Sequence, residues 1–245
     1  MAREQPEQQA PPVQRLRIRY AKRGRLRFTS HRDFSRAFER AVFRARIPMA
    51  YSSGFNPHPR ISYAGAAPTG SASEAEYLEI ALAQVVDPAD VAAQLEEALP
   101  PGLDVVAVVE SPGGALADLL QASRWRLDLT APPEPTGAAL ARFWATDEVI
   151  VERMTKKGLR AFDCRAAVVR AEVVETRADG GAGCAIDLVL RHTVPAVRPD
   201  DVLSGISAVS SEWAPGGPPL LTRVAQGPLD EASEQIGDPL ARVGE

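Results

Sequence analysis

Two short stretches of the chain carry side chains able to do chemistry near neutral pH: Ser30-His31-Arg32-Asp33, and the segment holding Ser52, Ser53, Asn56, His58 and Arg60. Ser30 followed three residues on by Asp33 has the form of a capping box. The first stretch therefore reads as a helix N-terminus, where free N–H groups and the positive end of the helix dipole favour an anion. His58 stands between Pro57 and Pro59, with Gly54 just upstream, which predicts a loop with a rigid backbone course. Three roles are open to these groups. They can be structural, with His31 starting a helix, Asp33 satisfying its cap and His58 bonded to a loop carbonyl. They can together hold a phosphate or carboxylate, with Arg32 and Arg60 as charge partners. Or His58, with His31 second, can serve as general acid or base in nucleotide or RNA cleavage.

Beside these groups runs a stripe of cations. Arg32, Arg36, Arg40 and Arg44 recur every fourth residue, a drift of only about 40° per step on a helix, so they share one face. Carboxylates at i±4 are largely missing, whereas a face built only for solubility mixes signs. From Arg15 to Arg60 there are thirteen Lys or Arg against two acids, Asp33 and Glu39, hence a formal +11 inside a chain of net −4. Segregated basic charge of this kind makes a polyanion the simplest partner, with an acidic protein surface as an alternative. Phe28, Tyr51, Phe55 and Tyr63 interleave with the basic residues, as stacking on single-stranded RNA bases would require, although core positions explain aromatic residues equally well.

The elements that must position these residues follow from periodicity. Leu16, Ile18 and Tyr20 alternate with Arg15, Arg17 and Arg19 as a half-buried strand. Lys22-Arg23-Gly24 is a turn, and Leu26 and Phe28 resume the alternation, so a row of outward guanidinium groups is expected on the sheet. Phe34, Ala37, Phe38, Ala41, Val42 and Ala45 form the apolar side of a helix that Pro48 ends. Strands near residues 61–65, 74–84 and 103–109 and a helix opened by Asp87-Pro88 complete the order strand, helix, strand, strand, helix, strand. After Ser111-Pro-Gly-Gly the order recurs less clearly, with strands at 125–129, 148–154, 183–192 and 220–224 and helices at 136–145 and after Arg198. The spacing Lys22-Arg-Gly-x-x-x-Phe28 is echoed by Lys156-Lys-Gly-x-x-x-Phe162. The expected fold is α+β, two tandem ferredoxin-like (βαββαβ) modules with antiparallel sheets. Residues 1–13 form a flexible N-terminus, 14–110 the Arg-rich module, 111–123 a linker, 124–226 the second module and 227–245 an acidic tail.

Composition narrows the chemistry. No stretch reaches about 18 uninterrupted apolar residues and no secretory leader is evident, so a cytoplasmic protein without membrane contact is expected. Walker A, GxGxxG, nucleophile-elbow and HExxH patterns are absent. Cys164 and Cys184 are the only cysteines, and His31, His58 and His192 lie far apart. Neither a disulfide framework nor a zinc site is expected, and no cofactor.

The segment from Tyr20 to Ile61, with its Ser30-His-x-Asp33 and Gly54-Phe-Asn-Pro-His-Pro59 motifs, resembles the radical SAM-linked protein family, and the resemblance extends over roughly residues 13–224. It implies a protein encoded beside, or fused to, a cobalamin-binding radical SAM protein. A radical SAM cluster takes three cysteines from one short segment, and two cysteines twenty residues apart do not supply them. Any radical chemistry then belongs to a partner. The expected function is that of a non-catalytic accessory protein presenting RNA or a nucleotide-containing substrate to that partner. A metal-independent ribonuclease using His58 or His31 is the alternative, the tandem architecture being similar to that of CRISPR repeat-processing endoribonucleases. A protein-interaction module for an acidic partner is a third.

Overall fold

The computed structural model describes residues 8–155, 158–174 and 181–241. The chain is α+β, with antiparallel strand pairing and five α-helices among the described residues. It forms one compact unit over Met1–Asp118 with Leu240–Glu245, and a second over Leu119–Pro239. Among the described residues no helix is long and apolar enough to cross a membrane.

The first unit runs β1 (Gln14–Lys22), α1 (His31–Arg44), β2 (Ile61–Ala64), β3 (Ala72–Leu82), α2 (Pro88–Ala98) and β4 (Leu103–Glu110). The strand order is β4-β1-β3-β2, each neighbour antiparallel. Leu16, Ile18, Leu78 and Ile80 have no exposed surface and meet Phe34, Phe38, Ala41 and Val42 of α1 and Val91, Leu95 and Ala98 of α2. Burying side chains of this size contributes roughly 1.5–3 kcal/mol each. Tyr20 stacks on Phe34 with ring centroids 4.3 Å apart, which ties β1 to the first turn of α1.

Two expectations fail in this unit. The segment Gly24–Phe28 is a 3-10 helix and not a continuation of the strand. Gly24 takes φ +53, and the amides of Leu26 and Thr29 donate to the carbonyls of Arg23 and Leu26, so the local turn wins over a short alternation. Nor does β1 display a row of free guanidinium groups. Arg17 is 2 % exposed, its Nε donating to Glu79 at 3.3 Å and its Nη2 to the carbonyls of Gly113 and Gly114 at 2.6 and 3.1 Å. The residues just after β4 close over that face of the sheet, an arrangement that alternation along β1 cannot foretell.

The second unit opens at Leu119, the last residue of α3 (Leu116–Leu119), inside the stretch expected to be a linker. It continues through β5 (Ala122–Leu129), α4 (Pro133–Ala145), β6 (Ile150–Thr155), β7 (Gly158–Asp163), β8 (Val168–Val174), β9 (Cys184–Arg191), α5 (Pro199–Val209) and β10 (Leu220–Gly227). Its strands lie in the order β10-β5-β9-β8, again antiparallel. The strand expected near 148–154 is not in that sheet. β6 pairs with β7 in a separate hairpin, and β8, which periodicity did not announce, takes the place beside β9. Lys156 and Lys157 of the echoed motif lie outside the described residues. Gly205 of α5 sits where an added Cβ would come within 2.5 Å of Cys164 Sγ, so the helix approaches Phe143 and Cys164 as closely as glycine allows. The stretch expected as a tail contains β11 (Leu229–Asp230) and β12 (Gln235–Ile236), which pair antiparallel.

Candidate polyanion-binding face

The basic segment divides into arginines engaged inside the fold and arginines that are not. Arg15 and Arg17 both meet Glu79, which also accepts from Ser111 Oγ at 2.7 Å. Arg19 donates to the carbonyl of Glu74, and Arg23 makes a bidentate pair with Glu74 and a further bond of 2.7 Å to Asp104. Those carboxylates hold the Arg23 guanidinium above its ordinary pKa. Lys22 is buried and has partners of its own. Arg60 donates through Nε to the carbonyl of Tyr51. By contrast Arg32, Arg36, Arg40 and Arg44 are exposed, and among the described residues none makes an ion pair or hydrogen bond through its guanidinium. Arg25 and Arg46 share that condition, and the Arg27 guanidinium lies 4.7 Å over the Phe28 ring.

The helix that carries the stripe is well anchored at both ends. At its start Ser30 Oγ accepts from the Asp33 amide at 3.2 Å and donates to the Asp33 carboxylate at 2.7 Å. This terminus therefore already holds a negative charge of its own, which works against a second anion there. At its end Arg46 takes φ +53, its amide donating to Phe43 O and the Ile47 amide to Val42 O, both at 3.1 Å. That is a Schellman closure with arginine in the left-handed position where glycine is the low-energy choice.

The loop that follows is closed at its neck. The Ser52 amide donates to His58 O at 2.9 Å, and the His58 amide donates to Ser52 Oγ at 3.0 Å. Ser53 Oγ accepts from the Gln9 amide, and Asn56 is exposed at the tip. One flank of the loop, at Tyr51 and Pro59, shares a groove with Phe43, Arg44 and Arg46 at the end of α1. The other flank places His58 and Arg60 in a shallow depression with Arg15, Ser62 and Glu79.

The expected site residues are thus sorted into two places. His31 lies in the first turn of α1, edge-on to Tyr63 at 5.0 Å. His58 belongs with the loop beyond the other end of that helix, and the run from His31 to Arg44 alone rises roughly 20 Å. The two histidines do not converge on one pocket, and the carboxylate that shares the depression with His58, Glu79, is committed to Arg15, Arg17 and Ser111. The third histidine, His192, is engaged at both nitrogens. Its Nδ1–H donates to Leu120 O at 2.6 Å, leaving Nε2 to accept from Ser123 Oγ at 2.6 Å. Burial of those nitrogens lowers its pKa. Ser123 is 1 % exposed, too enclosed to meet a substrate.

Two features of the face escape a reading of the sequence. Phe43 is 82 % exposed and borders two depressions, one with Arg36 and Arg40, the other with Arg46 and Tyr51, Glu39 and Arg44 being common to both. A signal for it exists, since an aromatic residue just off the apolar stripe, three residues from one arginine and next to another, does not belong to a core face. Arg46 counts among the cations of the segment, but its left-handed backbone has no signature in residue type. Among the described residues no three His, Cys, Asp or Glu side chains group as metal ligands would.

No curated protein matches the chain. A family profile described as an uncharacterized protein conserved in bacteria (DUF2344) matches residues 15–199, a span that takes in α1, the closed loop and most of the second unit, and the chain belongs to that family.

Proposed function

We propose that this protein is a non-catalytic accessory protein that binds RNA along α1 and works with a cobalamin-binding radical SAM protein. The observation that carries the RNA reading is the division of its arginines, paired internally on and just after β1 and, among the described residues, without an ion pair on α1. Like charges at i,i+4 each cost a few tenths of a kcal/mol, and a row of four with only Glu39 beside it to offset them is a standing cost that a polyanion would relieve. Support for the partnership comes from the Ser-His-x-Asp and Gly-Phe-Asn-Pro-His-Pro motifs and from two cysteines that are both buried. In each unit the strand order, with the chain's fourth, first, third and second sheet strands as neighbours, supports a tandem ferredoxin-like reading, the hairpin of β6 and β7 being an insertion in the second.

The test is RNA affinity at several salt concentrations. Reversing two charges, Arg36→Glu with Arg40→Glu, should weaken binding strongly and lower the salt slope by about one unit for each phosphate that is no longer neutralised. Thermal stability should move little, because both side chains are exposed. Unaltered affinity, or no affinity in the unmodified protein, removes the RNA reading. RNA cleavage by the unmodified protein that disappears in a folded His58→Ala variant removes the non-catalytic one.

A further inference from the structure

We infer that the RNA held by α1 is single-stranded and that Phe43 is the platform on which one of its bases stacks, an inference that rests on the RNA reading above. Three phenylalanines of α1 have opposite fates: Phe34 and Phe38 are buried at 3 % and 1 %, whereas Phe43 stands 82 % in water. Its ring separates two depressions. One holds Arg36, Arg40 and Arg44; the other, about 500 Å³ and so of small-ligand size, holds Arg44, Arg46, Tyr51 and Pro59; Glu39 lines both. Successive arginines of the stripe advance about 6 Å along the helix, so the phosphates of one strand can be met in turn while a base turns onto the ring between them. In a duplex every base face is already covered by its neighbours, and an exposed side-chain ring finds nothing to stack on; a single strand offers a free face at each nucleotide.

Two neighbours of Phe43 fit this occupant. Arg46 lines the groove from a left-handed backbone conformation, held at a conformational cost glycine would avoid. Tyr51, 40 % exposed, adds a second aromatic residue to the lining of the same groove. Glu39, which borders both depressions, would repel a phosphate but could accept N–H groups from a base edge, so the base side of the strand would lie toward it and the phosphates toward Arg40 and Arg44.

The experiment compares a short single-stranded RNA with a duplex of the same sequence, by anisotropy, on the full chain. Single strand should bind more tightly than duplex. Phe43→Ala should weaken single-strand binding about 5- to 150-fold, the worth of one base stack, and leave the salt slope unchanged because every phosphate keeps its arginine. Phe43→Trp should restore affinity, and the fluorescence of the introduced indole should be quenched by the single strand. Equal or tighter duplex binding, or Phe43→Ala binding as well as the unmodified protein, overturns the inference. If that happens while Arg36→Glu with Arg40→Glu still abolishes binding, RNA binding stands and stacking alone falls; if the unmodified protein binds neither RNA, both fall.

Discussion

Arg46 is the residue at which stability and the proposed RNA binding would be set against each other. Its left-handed backbone closes α1 where a glycine would cost less, and its side chain borders the groove beside Phe43. Arg46→Gly should therefore stabilise the fold by about 1 kcal/mol, through relief of the left-handed strain. The same substitution should weaken RNA binding and lower the salt slope by about one unit. Denaturant unfolding and salt-dependent anisotropy on one preparation check the two signs together. A variant that loses stability, or that gains it with RNA affinity intact, would show that arginine is there for a reason other than the ligand.

Among the elements, β1 and α1 carry similar numbers of arginines and use them oppositely. On β1, Arg17, itself 2 % exposed, is answered by Glu79, a buried carboxylate of the neighbouring β3 that also meets Arg15 and Ser111. Removing one partner of such a pair strands the other charge in a dry site, so Glu79→Ala should destabilise the protein by about 3–5 kcal/mol, against almost nothing for the double reversal on α1. A thermal scan of both variants decides it, and equal small effects would mean that the Arg17 pair is far better solvated than its burial implies. This contrast also marks how far the sequence could be read. The apolar rows of β1, α1 and β3 announced the core of the first unit, because Leu16, Ile18, Phe34, Phe38, Leu78 and Ile80 recur at the periods their elements require. What covers the other face of β1 was hidden, since the hydrogen bonds of Arg17 with the carbonyls of Gly113 and Gly114 join residues almost a hundred positions apart. The stripe was legible for the same reason as the core, being periodic. The separation of His31 from His58 was not, because it depends on where a loop returns after a 14-residue helix. β6 misled because a hairpin strand and a sheet strand share the same alternation, and only pairing tells them apart.

At the scale of the whole molecule, the proposed division of labour puts RNA on this chain and radical chemistry on a partner. Purified alone and treated with iron and sulfide under anaerobic conditions, the protein should remain colourless, because it has only two cysteines and both are buried. Adding the cobalamin-binding radical SAM protein should tighten substrate binding or speed turnover, measured as modified RNA per unit time. A stable cluster on this chain, or a partner whose activity is indifferent to it, would end the proposal. Cys164 lies fully buried, and burial together with the nearby Asp163 and Asp201 carboxylates pushes its thiol pKa up to about 12; Cys184 is equally enclosed. To a maleimide or a spin label the native protein is consequently blank, so a cysteine introduced at Asn56 on the exposed loop tip would be the sole reporter on the molecule, with no background to engineer away.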